Sequence, residues 1–163
     1  MEIRLHYIEQ GEGFPLILLH GNGEDHTYFK RQMEPFADHF RVIAVDTRGH
    51  GESPRGTGPF TLSQFAEDLK SFFNQHGISK CHLLGFSDGG NVALLFALKY
   101  PDRVERLILN GANLDPCGVK LKTQIPIVLG WGLCRLCALF SQQAKQNWEM
   151  LNLMVTQPHI HRA

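Results

Sequence analysis

Residues 81–101 read CHLLGFSDGGNVALLFALKYP and contain the pattern Gly-x-Ser-x-Gly at residues 85–89. The apolar start predicts a buried strand, and the segment from Asp88 to Tyr100 predicts a helix that Pro101 ends. A serine between a strand and a helix in this pattern lies in a sharp, strained turn, which exposes its hydroxyl at the carboxyl end of the sheet. The flanking glycines are expected because a Cβ there would collide with the adjacent chain. We therefore predict that Ser87 is a nucleophile, with a purely structural turn as the alternative.

Predicted strands and helices alternate on both sides of this turn. Short apolar runs bounded by turn residues predict buried parallel strands, and apolar residues at helical spacing predict the helices between them. The alternation predicts an α/β fold with a doubly wound parallel sheet. The predicted strands are 3–8, 15–20, 41–46, 81–85 and 106–110, and the predicted helices are 28–36, 61–76 and 88–100.

A second glycine-rich turn, His20-Gly21-Asn22-Gly23, directly follows one of these strands. Attack on an ester carbonyl creates an oxyanion, which needs fixed hydrogen-bond donors. We predict that the backbone N–H groups of Asn22 and of Asp88, the residue after the nucleophile, form this oxyanion hole. An ordinary glycine turn is the alternative, but the position after a strand and the pairing with Ser87 favour the catalytic interpretation.

Four motifs together resemble the α/β-hydrolase superfamily: HGNG at 20–23, DTRGHGES at 46–53, GFSDG at 85–89 and YPDRV at 100–104. Their order and spacing match, and GFSDGG is most similar to the valacyclovir hydrolase (biphenyl hydrolase-like) branch. The resemblance implies an α/β-hydrolase core over residues 1–116.

The resemblance also implies roles for individual residues. Asp46, Arg48 and His50 belong to a structural turn, and His20 braces its own loop. Asp88 has two interpretations: a carboxylate that is favourable at a helix start, or a pocket residue that attracts the cationic group of an amino-acid ester.

The catalytic acid and histidine of this superfamily follow the nucleophile in the chain. After Phe140 no strand is followed by such an acid, and His159 and His161 do not follow a strand. We therefore expect a truncated chain, with a core at 1–116 and an incomplete helical cap at 117–163. We expect it to associate, either as a homodimer or with a missing carboxy-terminal half.

The resemblance implies a serine hydrolase of carboxylic esters or related acyl compounds, inactive or weak in this chain alone. The alternatives are a non-catalytic fragment that folds by self-association, and carbon–carbon bond hydrolysis or perhydrolysis on the same fold. The partner is then a small-molecule ester, and Trp131 and other apolar cap residues suggest an apolar substrate pocket. No metal and no organic cofactor is implied. We expect Cys134 and Cys137 to be buried, reduced thiols.

The charge balance and the hydropathy of the chain bear on its binding partners and on its location. Sixteen basic side chains balance sixteen acidic ones, which favours neither nucleic acid nor an anionic membrane as partner. The first ten residues, MEIRLHYIEQ, lack the apolar run of a signal peptide. The most apolar window, residues 125–140, is short for a membrane span and contains Arg135. We expect a cytoplasmic protein that does not bind membranes.

Overall fold

The computed structural model describes residues 3–113, together with residues 125–126, 129 and 149. Within them lies one five-stranded sheet, formed by β1 Tyr7–Gln10, β2 Pro15–Leu19, β3 Arg41–Val45, β4 Cys81–Phe86 and β5 Val104–Asn110. The strand order is β1-β3-β2-β4-β5. Strands β2 to β5 are mutually parallel, and β1 is antiparallel to β3. This confirms the predicted parallel sheet.

Three α-helices connect the strands, and two short 3-10 helices, His26–Phe29 and Pro101–Arg103, adjoin them. The N-cap of the second α-helix is Thr61, whose hydroxyl accepts a hydrogen bond from the N–H of Gln64 at 3.2 Å. This side chain satisfies a backbone donor that has no partner within the helix, so the helix begins where the sequence predicts. The α-helices are α1 Lys30–Ala37, α2 Leu62–Gln75 and α3 Asp88–Lys99.

The helices cover both faces of the sheet. On one face, Met33 of α1 packs with alternate residues of two central strands. Neighbouring residues of a strand point to opposite faces. Ile8 packs on the α1 side, whereas the ring of Tyr7 contacts Phe72 of α2 on the other, with centroids 5.2 Å apart. The residues buried on the α1 side are Leu16, Leu18, Phe29, Met33, Val42 and Ala44.

The first strand departs from the sequence prediction. The alternation at residues 3–8 predicts a strand there, but β1 occupies Tyr7–Gln10. These four residues pair with Val42–Val45, and β3 ends there. One further hydrogen bond, from the N–H of Asp46 to the carbonyl of His6 at 2.9 Å, joins the residue before β1 to the residue after β3. Ile3 and Leu5 are nevertheless buried. The alternation of apolar and polar residues at 3–8 therefore reflects burial of one side of an extended segment and not strand pairing.

The chain divides into two compact units, Met1–Ala112 and Asn113–Ala163. The predicted boundary at residue 116 lies outside the described residues. The same holds for most of the predicted cap, in which residues 125–126, 129 and 149 are helical. Within the described part of the chain, no helix has both the length and the apolar character needed to cross a bilayer.

Candidate active site

Ser87 occupies the turn between β4 and α3 with φ 52° and ψ −120°. It is the one residue other than glycine with positive φ among those described. Its N–H donates to the carbonyl of Asn110 at 2.8 Å, and its own carbonyl accepts from the N–H of Gly90 at 2.9 Å. These bonds hold the strained backbone between the end of β5 and the start of α3. The expected strained turn is thus present, and the nucleophilic role of Ser87 remains a prediction.

Two glycines permit this turn. A Cβ on Gly85 would lie 2.3 Å from the carbonyl oxygen of Gly89, and a Cβ on Gly89 would lie 2.3 Å from the carbonyl oxygen of Leu19. Both obstacles are backbone atoms, which cannot rotate away as a flexible side chain can. The expectation that any side chain here would collide with neighbouring chain is confirmed. Helix α3 can therefore start close against the ends of β2 and β4.

The loop after β2 lies against the nucleophile. A Cβ on Gly21 would be 3.2 Å from Cβ of Ser87 and 3.2 Å from Cδ1 of Phe86. The N–H of Gly21 donates to Oε2 of Glu24 at 2.9 Å, and this bond fixes the loop. The structure thus brings together the two segments that carry Asn22 and Asp88. Their function as oxyanion donors stays a prediction.

His20 braces this loop and is not available as a base. Its Nδ1 lies 2.8 Å from the carbonyl oxygen of Gly21, and its Nε2 accepts from the N–H of Thr47 at 3.1 Å. The second bond requires an unprotonated Nε2, so Nδ1–H donates to Gly21. Burial lowers the pKa of His20 and keeps the ring neutral. The structure agrees with the predicted bracing role.

Asp46 is fully buried where β3 ends, and it organises the turn that follows. Its carboxylate accepts hydrogen bonds from the N–H groups of His26 at 2.6 Å and Glu52 at 3.0 Å. The rings of His6 and His26 also contact it, through Nδ1 at 2.8 and 3.0 Å. Burial alone would raise the pKa of Asp46, but the N–H groups and the two rings outweigh burial, so the pKa is lowered. This carboxylate is engaged in structure, as the resemblance implies.

Arg48 and His50 tie the same turn to its surroundings. Nε and Nη2 of Arg48 donate to the two carboxylate oxygens of Asp68 in α2, each at 2.6 Å, and Nη1 donates to the carbonyl of Arg55 at 3.2 Å. Nε2 of His50 lies 3.2 Å from Oδ1 of Asn22 and so holds the loop after β2. Burial, followed by the neighbouring His20, lowers the pKa of His50 to about 4.

The remaining predicted site residues are only partly placed. Asp88 lies in the first turn of α3, half-buried, and Nδ2 of Asn91 approaches its Oδ1 at 3.5 Å. Its binding of a cationic substrate group stays a prediction. Trp131, the second predicted substrate residue, lies outside the described residues, as do His159 and His161.

An aromatic pair that none of the sequence motifs predicts lies beside Ser87. The ring of Tyr28 stacks on that of Phe86, with centroids 4.6 Å apart and planes 15° apart, and Tyr28 is 38% exposed. The ring of Phe86 also approaches Gly21. No local pattern connects these residues, because Tyr28 lies in the 3-10 helix between β2 and α1.

The parallel sheet, the strained serine and the adjoining glycine loop define the class of protein. The family model for the α/β hydrolase fold matches residues 15–132. The chain therefore belongs to the α/β-hydrolase fold family, which confirms the predicted superfamily.

Particular relatives belong to several kinds of hydrolase. The chain is 35% identical over 155 residues to a 2-hydroxy-6-oxononadienedioate/2-hydroxy-6-oxononatrienedioate hydrolase of Escherichia coli (strain K12 / DH10B), covering 91% of this chain and 52% of the relative. It is 34% identical over 124 residues to a soluble epoxide hydrolase of Corynebacterium sp. (strain C12), covering 76% and 43%.

The solved structures that this chain resembles include a further kind of hydrolase, an esterase. A thermophilic esterase from Thermogutta terrifontis superposes with a TM-score of 0.70 at 30% identity, covering 96% of this chain and 63% of the esterase. The chain spans about half the length of the Escherichia coli relative. The valacyclovir hydrolase branch stays a prediction.

Proposed function

We propose that this chain carries the nucleophile and the oxyanion hole of a serine hydrolase that acts on carboxylic esters or related acyl compounds. The observation that supports this most is the strained backbone of Ser87, with φ 52° at the end of β4, together with the close approach of Gly21 to its Cβ. A strained residue is retained where its surroundings over-determine it, and such residues cluster at functional sites.

In the proposed reaction, Oγ of Ser87 attacks the acyl carbonyl, the alcohol leaves, and water hydrolyses the resulting acyl-enzyme. The backbone N–H groups of Asn22 and Asp88 donate to the carbonyl oxygen as it becomes negative. Ser87 lies at the start of α3, where the helix dipole contributes about half a positive charge. The hydroxyl proton needs a basic acceptor, which a histidine oriented by an acid provides in such enzymes.

Carbon–carbon bond hydrolysis is the second candidate. It is supported by the 35% identity to the Escherichia coli hydrolase, whose name specifies 2-hydroxy-6-oxononadienedioate and 2-hydroxy-6-oxononatrienedioate as substrates. A carbonyl beside the cleaved bond would use the same oxyanion donors, so the two candidates share a site. They differ in the substrate that is turned over.

A comparison of p-nitrophenyl acetate with 2-hydroxy-6-oxononadienedioate tests both candidates. His20 and His50 are engaged in the two loops, so we expect slow ester turnover by this chain, on the order of a thousandfold above water if oxyanion stabilisation and binding act alone. Ser87→Ala keeps the oxyanion donors and should retain this residual turnover, so only turnover above it should depend on Ser87. Ser79→Ala, at an exposed serine, is the matched control and should change nothing.

Three outcomes separate the alternatives. Turnover well above the residual level that is equal in the parent chain and in Ser87→Ala would contradict a nucleophilic Ser87, and turnover no faster than that in water would favour a non-catalytic chain. Turnover of the dienedioate in preference to the ester would favour carbon–carbon hydrolysis. Fast ester turnover that Ser87→Ala abolishes would show that a base is supplied, either by this chain or by a second copy.

A further inference from the structure

Three side chains that can each ligate a metal ion meet just beyond the end of β3: His6, His26 and Asp46. One ligand atom from each lies within 4.8 Å of the other two. Nδ1 of His6 is 2.8 Å from Oδ2 of Asp46, and Nδ1 of His26 is 3.0 Å from both carboxylate oxygens. We propose that this cluster is a binding site for a divalent transition-metal ion of the Zn2+ type, separate from the proposed catalytic machinery.

The donor set matches that chemistry. Two imidazole nitrogens and one carboxylate oxygen suit Zn2+, which binds nitrogen and oxygen ligands at about 2.0–2.2 Å in a tetrahedral arrangement. Two ligand atoms on one tetrahedral ion are therefore roughly 3.4 Å apart. The observed separations of 2.8 and 3.0 Å need to widen by only about half an ångström. Water can complete the coordination.

Asp46 is held ready for this role by the backbone. Two of the acceptor positions of its carboxylate are used by the N–H groups of His26 and Glu52. A carboxylate has about four such positions, so two remain for the rings or for an ion. The side chain of Asp46 is 0% exposed, whereas those of His6 and His26 are 29% and 15% exposed. The carboxylate is thus fixed, and the ligands on the solvent side can adjust.

Each ring must present an unprotonated Nδ1 to the ion. In a neutral imidazole, a proton that leaves Nδ1 moves to Nε2, so the ring can bind without a net change of charge. Nε2 of His6 lies 3.7 Å from Oε2 of Glu52, and this carboxylate would stabilise the proton there. A carboxylate on the outer nitrogen of a ligating histidine fixes its tautomer and strengthens binding.

The site would join three separate segments of the fold. His6 precedes β1, His26 lies in the 3-10 helix after β2, and Asp46 follows β3. An ion bound to all three stabilises the folded chain, because the unfolded chain does not hold them together. We therefore infer a structural function.

Titration of the metal-free 163-residue chain with ZnCl2, followed by calorimetry, tests the site. We expect one ion per chain and a rise in melting temperature of roughly 5–10 °C at a hundred times Kd. His6→Gln and His26→Gln should each weaken binding by about tenfold or more, since loss of even an outer partner has such an effect. His39→Gln, at an exposed histidine, should leave it unchanged. Circular dichroism verifies that each variant is folded.

Other residues of the chain could also take up Zn2+, namely Cys134, Cys137, His159 and His161. The titration is therefore repeated in a background in which both cysteines are serine and both histidines are glutamine. Binding that persists there, with a Co2+ spectrum that lacks thiolate charge-transfer absorption, supports the site. Binding that disappears in that background, or that is equal in His6→Gln, His26→Gln and the parent chain, would overturn it.

Discussion

Ser87 holds a strained backbone conformation that lowers the stability of the fold. A positive φ of 52° is unfavourable for any residue with a Cβ, and such strain costs about 1–3 kcal/mol. Glycine relieves it but loses about 0.5–1 kcal/mol through greater freedom in the unfolded chain. We predict that Ser87→Gly is about 1 kcal/mol more stable to urea than Ser87→Ala, although both lack the hydroxyl.

The comparison of Ser87→Gly with Ser87→Ala needs a control position at which the backbone is not strained. Ser79 is exposed and, unlike Ser87, has no positive φ, so Ser79→Gly should be no more stable than Ser79→Ala. Equal stability of the two Ser87 variants would show that the backbone conformation at the turn carries little strain.

His50 should make the stability of the chain depend on pH. Its pKa falls from 6.5 to about 4 on folding, first because it is buried and then because His20 is close. The unfolded chain therefore binds a proton between these values that the folded chain does not. Stability is complete above pH 6.5 and decreases as the pH falls towards 4, by about 3 kcal/mol. His20 acts in the same direction.

Urea unfolding at a series of pH values measures this effect. His50→Gln should show a smaller loss of stability between pH 6.5 and 4 than the parent chain, whereas His39→Gln should show the same loss. Parallel pH profiles for the parent chain and His50→Gln would mean that His50 titrates normally in the fold. Below that range the lowered pKa of Asp46 adds a further loss, as its carboxylate becomes protonated.

At the scale of elements, the buried Arg48–Asp68 pair joins the loop after β3 to helix α2. Both side chains are 5% exposed, and two hydrogen bonds connect them. Removal of one partner leaves a buried charge unpaired, so we predict that Asp68→Ala costs about 3–5 kcal/mol of unfolding free energy.

The exposed pair Arg41–Glu9 is the matched comparison for Asp68→Ala. It has similar two-point geometry, at 3.0 and 2.8 Å, but its side chains are 30% and 34% exposed. Glu9→Ala should cost less than about 1 kcal/mol, because water screens the charges. Urea unfolding measures the loss of unfolding free energy in both variants. Similar losses for Asp68→Ala and Glu9→Ala would contradict the prediction that burial makes the Arg48–Asp68 pair costly to break.

At the scale of the whole molecule, β5 suggests self-association. Within residues 3–113 it pairs with β4 on one side only and lies at the edge of the sheet. Ile108 is 49% exposed and Leu109 is 39% exposed, so apolar groups accompany the open edge. Such an edge favours pairing with another strand, and two copies can pair symmetrically. We predict a homodimer through β5.

Sedimentation at low micromolar concentration measures this association. Ile108→Lys should produce monomers, because a charge on an edge strand opposes pairing. Gln10→Lys, on β1 at the opposite edge, should leave the dimer intact. A monomeric parent chain would contradict the prediction and favour an edge covered by other parts of the same chain.

Local patterns predicted most elements closely. Strands β2, β3 and β4 differ from the predicted ranges by one residue at one end, and α2 lies one residue inside the predicted range at each end. β5 starts two residues earlier than predicted. The starts of β1 and α1 were less accurate. The start of β1 depends on where its partner β3 ends. The start of α1 is later than predicted because a 3-10 helix, His26–Phe29, precedes it.

The candidate site was predictable only where its residues are neighbours in the sequence. The turn at Ser87 can be recognised from the five consecutive residues 85–89, because its two glycines stand where a Cβ would collide with backbone. The partners of Asp46 and Arg48 cannot be recognised from any local sequence pattern. His6 and His26 lie 40 and 20 residues from Asp46, and Asp68 lies 20 residues from Arg48.

The sequence alone was therefore sufficient for the α/β fold and for the strained turn at Ser87, because hydrophobic periodicity and glycine placement act over a few residues. Only the tertiary structure brought His6, His26 and Asp46 into one cluster, paired Arg48 with Asp68 and laid Gly21 against Ser87. These contacts depend on strand order and register, which bring distant segments together. Such distances in space are not encoded in any local spacing of residue types.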